Sequence, residues 1–369
     1  MFKNYNVGDV MEGKCLSYSR TPKWLAISLL GTSCLLMVGA ASAEMPDSKV
    51  NTHITPTPEM ITTYARPAVV PQGEGNPSTE QRVALGKNLF FDPRLSGSNF
   101  ISCSTCHNPA LGWSDGQPTA IGHNMQVLGR ATPTIINTAY QRSQFWDGRA
   151  ATLEEQALGP IVADVEMNQP IDELIVELSE VLGYVEMFEA AYPGEGITAS
   201  TISKAIAVFE RTVIAGESDF DRWLNGDKNA MSAEAQWGFA VFEGKGNCSG
   251  CHGGHSFTDD KFHNIGLKGV DNPGRYAIDS NESHKQAFKT PTLRDIARTA
   301  PYMHNGAYRT LAEVVEHYDR GGFDNGVPLS EDLKPSLDLS ERDKKALVAF
   351  MEAVTSDPVA ISIPQLPVK

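Results

Sequence analysis

Two five-residue segments of this 369-residue chain concentrate its chemical reactivity: Cys103-Ser104-Thr105-Cys106-His107 and Cys248-Ser249-Gly250-Cys251-His252. Two thiols spaced by two residues can form thioethers to the two vinyl groups of one haem, and the adjoining histidine is then held beneath the iron as its proximal ligand. Other uses of the same residues fit less well. A zinc site with four thiolates would use both pairs and leave both histidines idle. A redox-active dithiol needs a thioredoxin-like setting that a helical sequence does not supply, and structural disulfides would give the histidines no task. The two other cysteines, Cys15 and Cys34, lie in the N-terminal segment.

The two segments sit in an internal repeat. Thr132-Pro133-Thr134-Ile135 recurs as Thr290-Pro291-Thr292-Leu293, and Thr152-Leu153-Glu154-Glu155 as Thr310-Leu311-Ala312-Glu313, both 158 residues further on. Each half reads as helix, Cys-x-x-Cys-His, long loop, Thr-Pro-Thr turn, glycine turn and capped helix. Apolar residues at helical spacing predict helices from Ser78, through Ile202–Arg211, over Ala233–Phe242 and over Ser340–Val354. Ser78 with Gln81, Thr152 with Glu155 and Thr310 with Glu313 read as capping boxes, and Gly159-Pro160 reads as a helix end. Strand-like alternation is scarce. The expected fold is all-α, with two cytochrome c-like domains that each hold one covalently bound haem c. The expected boundaries are 1–43 signal peptide, 44–77 extended lead-in, 78–220 first haem domain and 221–369 second haem domain.

Each iron needs a sixth position, and its occupant decides function. The 158-residue offset places Tyr318 in the slot that Pro160 holds in the first half. A tyrosine oxygen can ligate ferric iron; proline has no side-chain donor. One haem is therefore expected to be closed by protein and the other left open or differently capped. His317 is a rival ligand, but on a helix it points roughly 100° away from Tyr318, so only one of them can face the iron. In the first half, Gln156 follows Thr152 on the capped helix, and a turn after Pro160 can bring Glu166 back toward the same pocket. A carboxylate there can move a proton between the two oxygens of a peroxide, and an amide can hold the departing one.

Composition bounds the rest. The formal net charge is −14, and no Lys/Arg stripe exists to neutralise phosphates, so nucleic-acid binding is not expected. The acidity suits a basic partner such as a small cationic electron carrier. Lys14, Arg20 and Lys23 precede an apolar run from Trp24 to Ala40 and then Ala41-Ser42-Ala43, which reads as a cleaved secretory signal leaving no stable membrane span.

The stretches Phe145-Trp146-Asp147-Gly148-Arg149-Ala150, Leu153 to Pro160 and Val165-Glu166-Met167 resemble the bacterial di-haem cytochrome c peroxidases and the related MauG-type enzymes, and the resemblance runs from about Ser78 to Thr355. It implies a periplasmic protein with His107 as proximal ligand of the peroxide-reacting haem. It also implies Gln156, Pro160 and the acid/base residue Glu166 in the distal pocket, Trp146 relaying charge between the haems, and His252 as proximal ligand of the second haem. Tyr318 stands where the ordinary peroxidases have methionine and MauG-type enzymes have tyrosine. His123 falls where many ordinary peroxidases place a displaceable ligand on the peroxide-reacting haem, a position that MauG-type enzymes generally leave open. MauG has a tryptophan two residues before the second Cys pair, a hopping station toward its protein substrate; here that position is Gly246. The family holds calcium between the haems through an asparagine side chain and two carbonyls. Here Thr299 and Pro301 keep the carbonyl positions, but Ala131 replaces the asparagine and supplies no side-chain oxygen. Peroxidase-type members are often homodimers, though no interface signal stands out in this chain.

Three functions follow as expectations. The first is peroxide removal with electrons from a small redox protein. The second is MauG-like oxidation of a side chain on a partner protein, and the third is non-catalytic electron carriage by two haems. Tyr318 favours the second and His123 the first. Gln156, Glu166 and the Pro160 slot argue against the third.

Overall fold

The computed structural model describes residues 54–269 and 272–368, which belong to one compact unit. The proposed signal segment 1–43 and the first part of the lead-in lie outside the described residues. Helix α1 (Pro58–Tyr64) is followed by α2 (Glu80–Phe91), α3 (Cys103–Cys106), α4 (Leu153–Val162), α5 (Ile171–Ser179), α6 (Leu182–Ala191) and α7 (Ala199–Glu210). Then come α8 (Asp219–Leu224), α9 (Ala233–Glu243), α10 (Tyr276–Asp279), α11 (Leu311–Asp319) and α12 (Glu341–Ala353). The sheet among the described residues is one antiparallel pair, β1 (Phe262–His263) with β2 (Phe288–Lys289). The protein is thus helix-rich with long loops, and no described helix is long and apolar enough to cross a membrane.

Two hydrophobic cores organise the helices. Leu85, Leu89 and Phe90 of α2 are fully buried against Ile202, Ala205, Ile206 and Phe209 of α7, with α4 to α6 completing the first core. Phe239 and Phe242 of α9 pack on Leu347 and Phe350 of α12, with Phe220 and Trp223 of α8, in the second. Each such side chain contributes about 1.5–3 kcal/mol on burial. The two helix crossings are built alike. A Cβ on Gly86 would run into the Ala205 carbonyl oxygen and lie 2.9 Å from Phe209 Cβ. A Cβ on Gly238 would run into the Ala346 carbonyl oxygen and lie 2.9 Å from Phe350 Cβ.

The loops repeat as well. Asn137 and Asp295, Phe145 and Met303, and Gly148 and Gly306 all have positive φ, each pair 158 residues apart. Phe145 (φ 68°) and Met303 (φ 75°) are bulky for that region, which costs each about 1–3 kcal/mol and persists only where the surroundings dictate the turn.

Three sequence expectations are corrected. Helix α2 is capped by Thr79, whose side chain accepts from Arg82 N, rather than by a Ser78–Gln81 box. Pro160 does not end α4, which continues to Val162, because the fixed φ of proline is itself helical and only one intrahelical bond is lost. The lead-in is not uniformly extended: Pro58 at the first position and the Thr57 side chain start α1, and its Tyr64 is 2% exposed inside the second core.

Candidate active site

A cavity of about 750 Å³ runs between the two cores, and Cys103, Cys106 and His107 line it from one side, Cys248, Cys251 and His252 from the other. The motifs adopt the same local geometry. His107 N donates to Cys103 O and His252 N to Cys248 O, both at 2.8 Å. His107 Nδ1 lies 3.2 Å from Trp113 O and His252 Nδ1 lies 3.0 Å from Phe257 O. A carbonyl only accepts, so Nδ1 carries the proton and Nε2 keeps a lone pair for a metal. Burial pushes both imidazoles below their ordinary pKa, which keeps them neutral.

All four cysteines are unpaired. Burial pushes the Cys106 thiol up to about 11 and the Cys248 thiol to about 12. Among the described residues the four thiols form no joint metal cluster. Paired thiols beside a histidine with a free Nε2, at both ends of a large cavity, fit two covalently held haems.

Helices α4 and α11 roof the two ends in one register. Thr152 Oγ1 accepts from Glu155 N and Thr310 Oγ1 from Glu313 N, so the helices start at equivalent residues. One face of each then lines the cavity: Leu153, Gln156, Ala157 and Pro160 on α4, and Leu311, Val314, Val315 and Tyr318 on α11. The spacing i, i+3, i+4, i+7 is the same in both. The chemistry is not: the positions of Gln156 and Pro160 on α4 are held by Val314 and Tyr318 on α11. His317 is turned away. Its Nδ1 accepts from the Tyr308 hydroxyl at 2.9 Å, and its Nε2 donates to Ile265 O at 2.9 Å, so neither nitrogen is available to a metal.

Glu166 lines the first half's end of the cavity, and burial pushes its carboxyl above the usual range against the pull of the Arg149 guanidinium. Trp146 lines the middle; its Nε1 donates to Ala131 O at 2.9 Å. Thr299 and Pro301 line the same region, while the Ala131 carbonyl is engaged by Trp146. His123 is not brought to the cavity. Its backbone N bonds the Val165 and Glu166 carbonyls, and its Nε2 faces Asn168 Nδ2 at 3.3 Å.

Around the cavity, Asp147 stood out only as part of the Phe145–Ala150 motif, and His304, Lys289 and Glu210 carried no sequence signal, because their environment is assembled from distant segments. His304 is stacked on Phe288 (ring centroids 3.5 Å) and is pushed down to about 3 by burial and by Arg130. Burial raises Asp147, but Arg130 at 2.6 Å and Arg149 outweigh it and hold this carboxyl below the usual range. Lys289, whose Nζ donates to Gln141 Oε1, is lowered by burial to about 8. Glu210, beneath the Cys103 end, is raised by burial to about 8.

The sequence model for the family described as di-haem cytochrome c peroxidase matches residues 80–229. The chain is 47% identical to a methylamine utilization protein MauG of Methylorubrum extorquens, over 82% of this chain and 86% of that one. It is 36% identical to a cytochrome c551 peroxidase of Nitrosomonas europaea, over 79% of this chain and 85% of that one. Its structure resembles the crystal structure of a MauG-like protein associated with microbial copper homeostasis, with a TM-score of 0.73 at 30% identity, covering 79% of this chain and 95% of the other. The matched histidines, the shared cavity and these likenesses agree: the chain belongs to the di-haem cytochrome c peroxidase family.

Proposed function

We propose that this protein is an exported, periplasmic di-haem enzyme that reduces hydrogen peroxide with electrons from a protein donor. The observation that carries this reading is the exchange of Pro160 for Tyr318 on two helix faces of identical register. Cys103, Cys106 and His107 would hold one haem, and Cys248, Cys251 and His252 the other. When bound, the haems supply a peroxide-reacting iron in the first half and a redox reserve in the second.

The chain's own residues do the rest. Proline at position 160 offers no donor, so it would leave the first haem accessible to peroxide. Glu166 accepts the proton of the near oxygen and delivers it to the far one. The Gln156 amide holds the departing oxygen. Trp146 carries charge between the two halves. Tyr318 would offer an oxygen donor to the second haem, which would lower that centre's potential relative to a methionine donor. His123 Nε2 is turned to Asn168 in this conformation, which supports a first haem without a histidine cap. Thr299 and Pro301 carbonyls are the candidates for calcium, without a side-chain partner at Ala131.

One observation favours a second reading, delivery of the oxidising equivalents to a side chain of a partner protein: Tyr318 is the family's MauG-type residue. Electron paramagnetic resonance of the diferric protein tests the main assignment. One high-spin and one low-spin signal are expected, with only the low-spin signal altered in Tyr318→Phe. Two low-spin signals would mean that His123 caps the first iron at rest, and a change in His317→Ala instead would overturn the Tyr318 assignment.

A further inference from the structure

Tyr318 lies beside His317 with ring centroids 5.3 Å apart, and His317 lies beside Tyr308 with ring centroids again 5.3 Å apart. Tyr318 faces the cavity, His317 is buried, and Tyr308 is half-buried among the exposed residues Ala307, Arg309 and Thr310. These three rings form a continuous path from the second half of the cavity to the surface. The hydrogen bonds give the path a direction. Because His317 Nε2 donates to the Ile265 carbonyl, Nδ1 holds the lone pair and accepts the Tyr308 hydroxyl proton at 2.9 Å. A phenol loses an electron readily only if its proton has somewhere to go, and Tyr308 has that acceptor already in place.

We propose that Tyr308 is the station at which electrons enter the second half of this enzyme from a donor at the surface. This rests on the assignment of Tyr318 as an iron ligand. Hydrogen peroxide takes up two electrons and two protons to give two waters. Each electron leaves the Tyr308 ring toward Tyr318, and the phenol proton moves to His317 Nδ1, leaving a neutral tyrosyl radical. A one-electron donor at the surface refills the ring, and the proton returns from His317. Two such turns supply both electrons, and solvent supplies the two protons.

Alternative stations are poorer. At Gly246 a Cβ would lie 2.8 Å from Val241 O and 3.1 Å from Cys248 Sγ, so an aromatic residue has no room there without backbone movement. Tyr64 has an acceptor in Glu243 but is 2% exposed and cannot meet a donor. The phenylalanines of the second core have no ionisable group.

The test uses the holoprotein carrying both haems. It is mixed with equimolar hydrogen peroxide and a nitroso spin trap, without donor, and then examined by paramagnetic resonance and peptide mass spectrometry. The expected result is trap mass on the peptide carrying Tyr308, absent in Tyr308→Phe, with donor-supported turnover in that variant at least tenfold lower. Peroxide consumption with the trap only on other residues would overturn this inference and leave the peroxidase reading intact. No peroxide consumption would overturn both.

Discussion

Glu166 illustrates how environment, rather than residue type, sets a side chain's task. Burial holds its carboxyl above the ordinary glutamate range, and the Arg149 guanidinium opposes that shift. The proposed first step has Glu166 accept a proton, so the reactive form is the carboxylate. Peroxide-directed kcat/KM should therefore fall on acidification through the Glu166 pKa, with a midpoint above that of a free glutamate. Arg149→Gln removes a favourable charge and should move the midpoint higher still. Glu166→Gln should abolish this limb and lower kcat/KM by about 10²–10⁴-fold. A pH profile of peroxide consumption for the three proteins decides the matter. An unmoved midpoint in Arg149→Gln would remove the coupling between the two groups. At this scale the two Cys-x-x-Cys-His segments stood out because their chemistry is encoded in adjacent positions, and both line the cavity. Glu210, His304 and Lys289 did not, because burial, the cause of their shifts, is a property of the assembled cavity.

At the level of elements, α2 crosses α7 and α9 crosses α12 in the same way, each at one glycine. Gly86 and Gly238 let each helix approach its partner's carbonyl, and no other residue fits without displacing backbone. Gly86→Ala and Gly238→Ala should each destabilise by about 1–3 kcal/mol, the cost of overpacking, despite alanine's better helix propensity. Equal melting temperatures for Gly86→Ala and the parent protein would refute the close-approach argument. The helices themselves were readable from apolar periodicity and caps: α7, α9 and α12 begin and end within a few residues of expectation. The glycine crossings were not, since a glycine inside a helix declares its reason only when the facing carbonyl is seen. Continuation of α4 past Pro160 was misread for a related reason. Proline forbids one hydrogen bond, and the bond it forgoes lies on the face turned to the cavity.

The whole chain is laced by two arms that cross. The N-terminal arm serves the second core: Tyr64 is buried there, Ile54 N donates to Gln236 Oε1 at 2.9 Å, and Trp223 Nε1 donates to Ile54 O at 3.3 Å. It then leads into α2 of the first core. The C-terminal arm leaves α12 of the second core, and Ser356 is held by Asp295 Oδ1. It then serves the first: Ile361 packs against that core, Lys87 Nζ donates to Ser362 Oγ at 3.1 Å, and Arg94 donates to Pro367 O at 2.9 Å. Nothing in the composition of residues 54–77 or 357–368 announces this exchange, because few apolar anchors in irregular chain leave no period to detect. The energetic consequence is that neither core can open without releasing an arm from the other. Heating the intact holoprotein should therefore give one cooperative transition by calorimetry. Removing residues 357–369 should lift that linkage and uncover the Ile361 contact surface, at a cost of about 2 kcal/mol to the first core. For a cooperative unit of about 150 residues, roughly one half of this protein, each kcal/mol is worth about 2–4 °C. The truncated protein should thus show two transitions, the lower displaced by roughly 5 °C and assigned to the first core by the spectrum of its haem. A single transition at the parent temperature would mean that the cores are joined by the cavity walls alone and that the arm is an ornament of the fold.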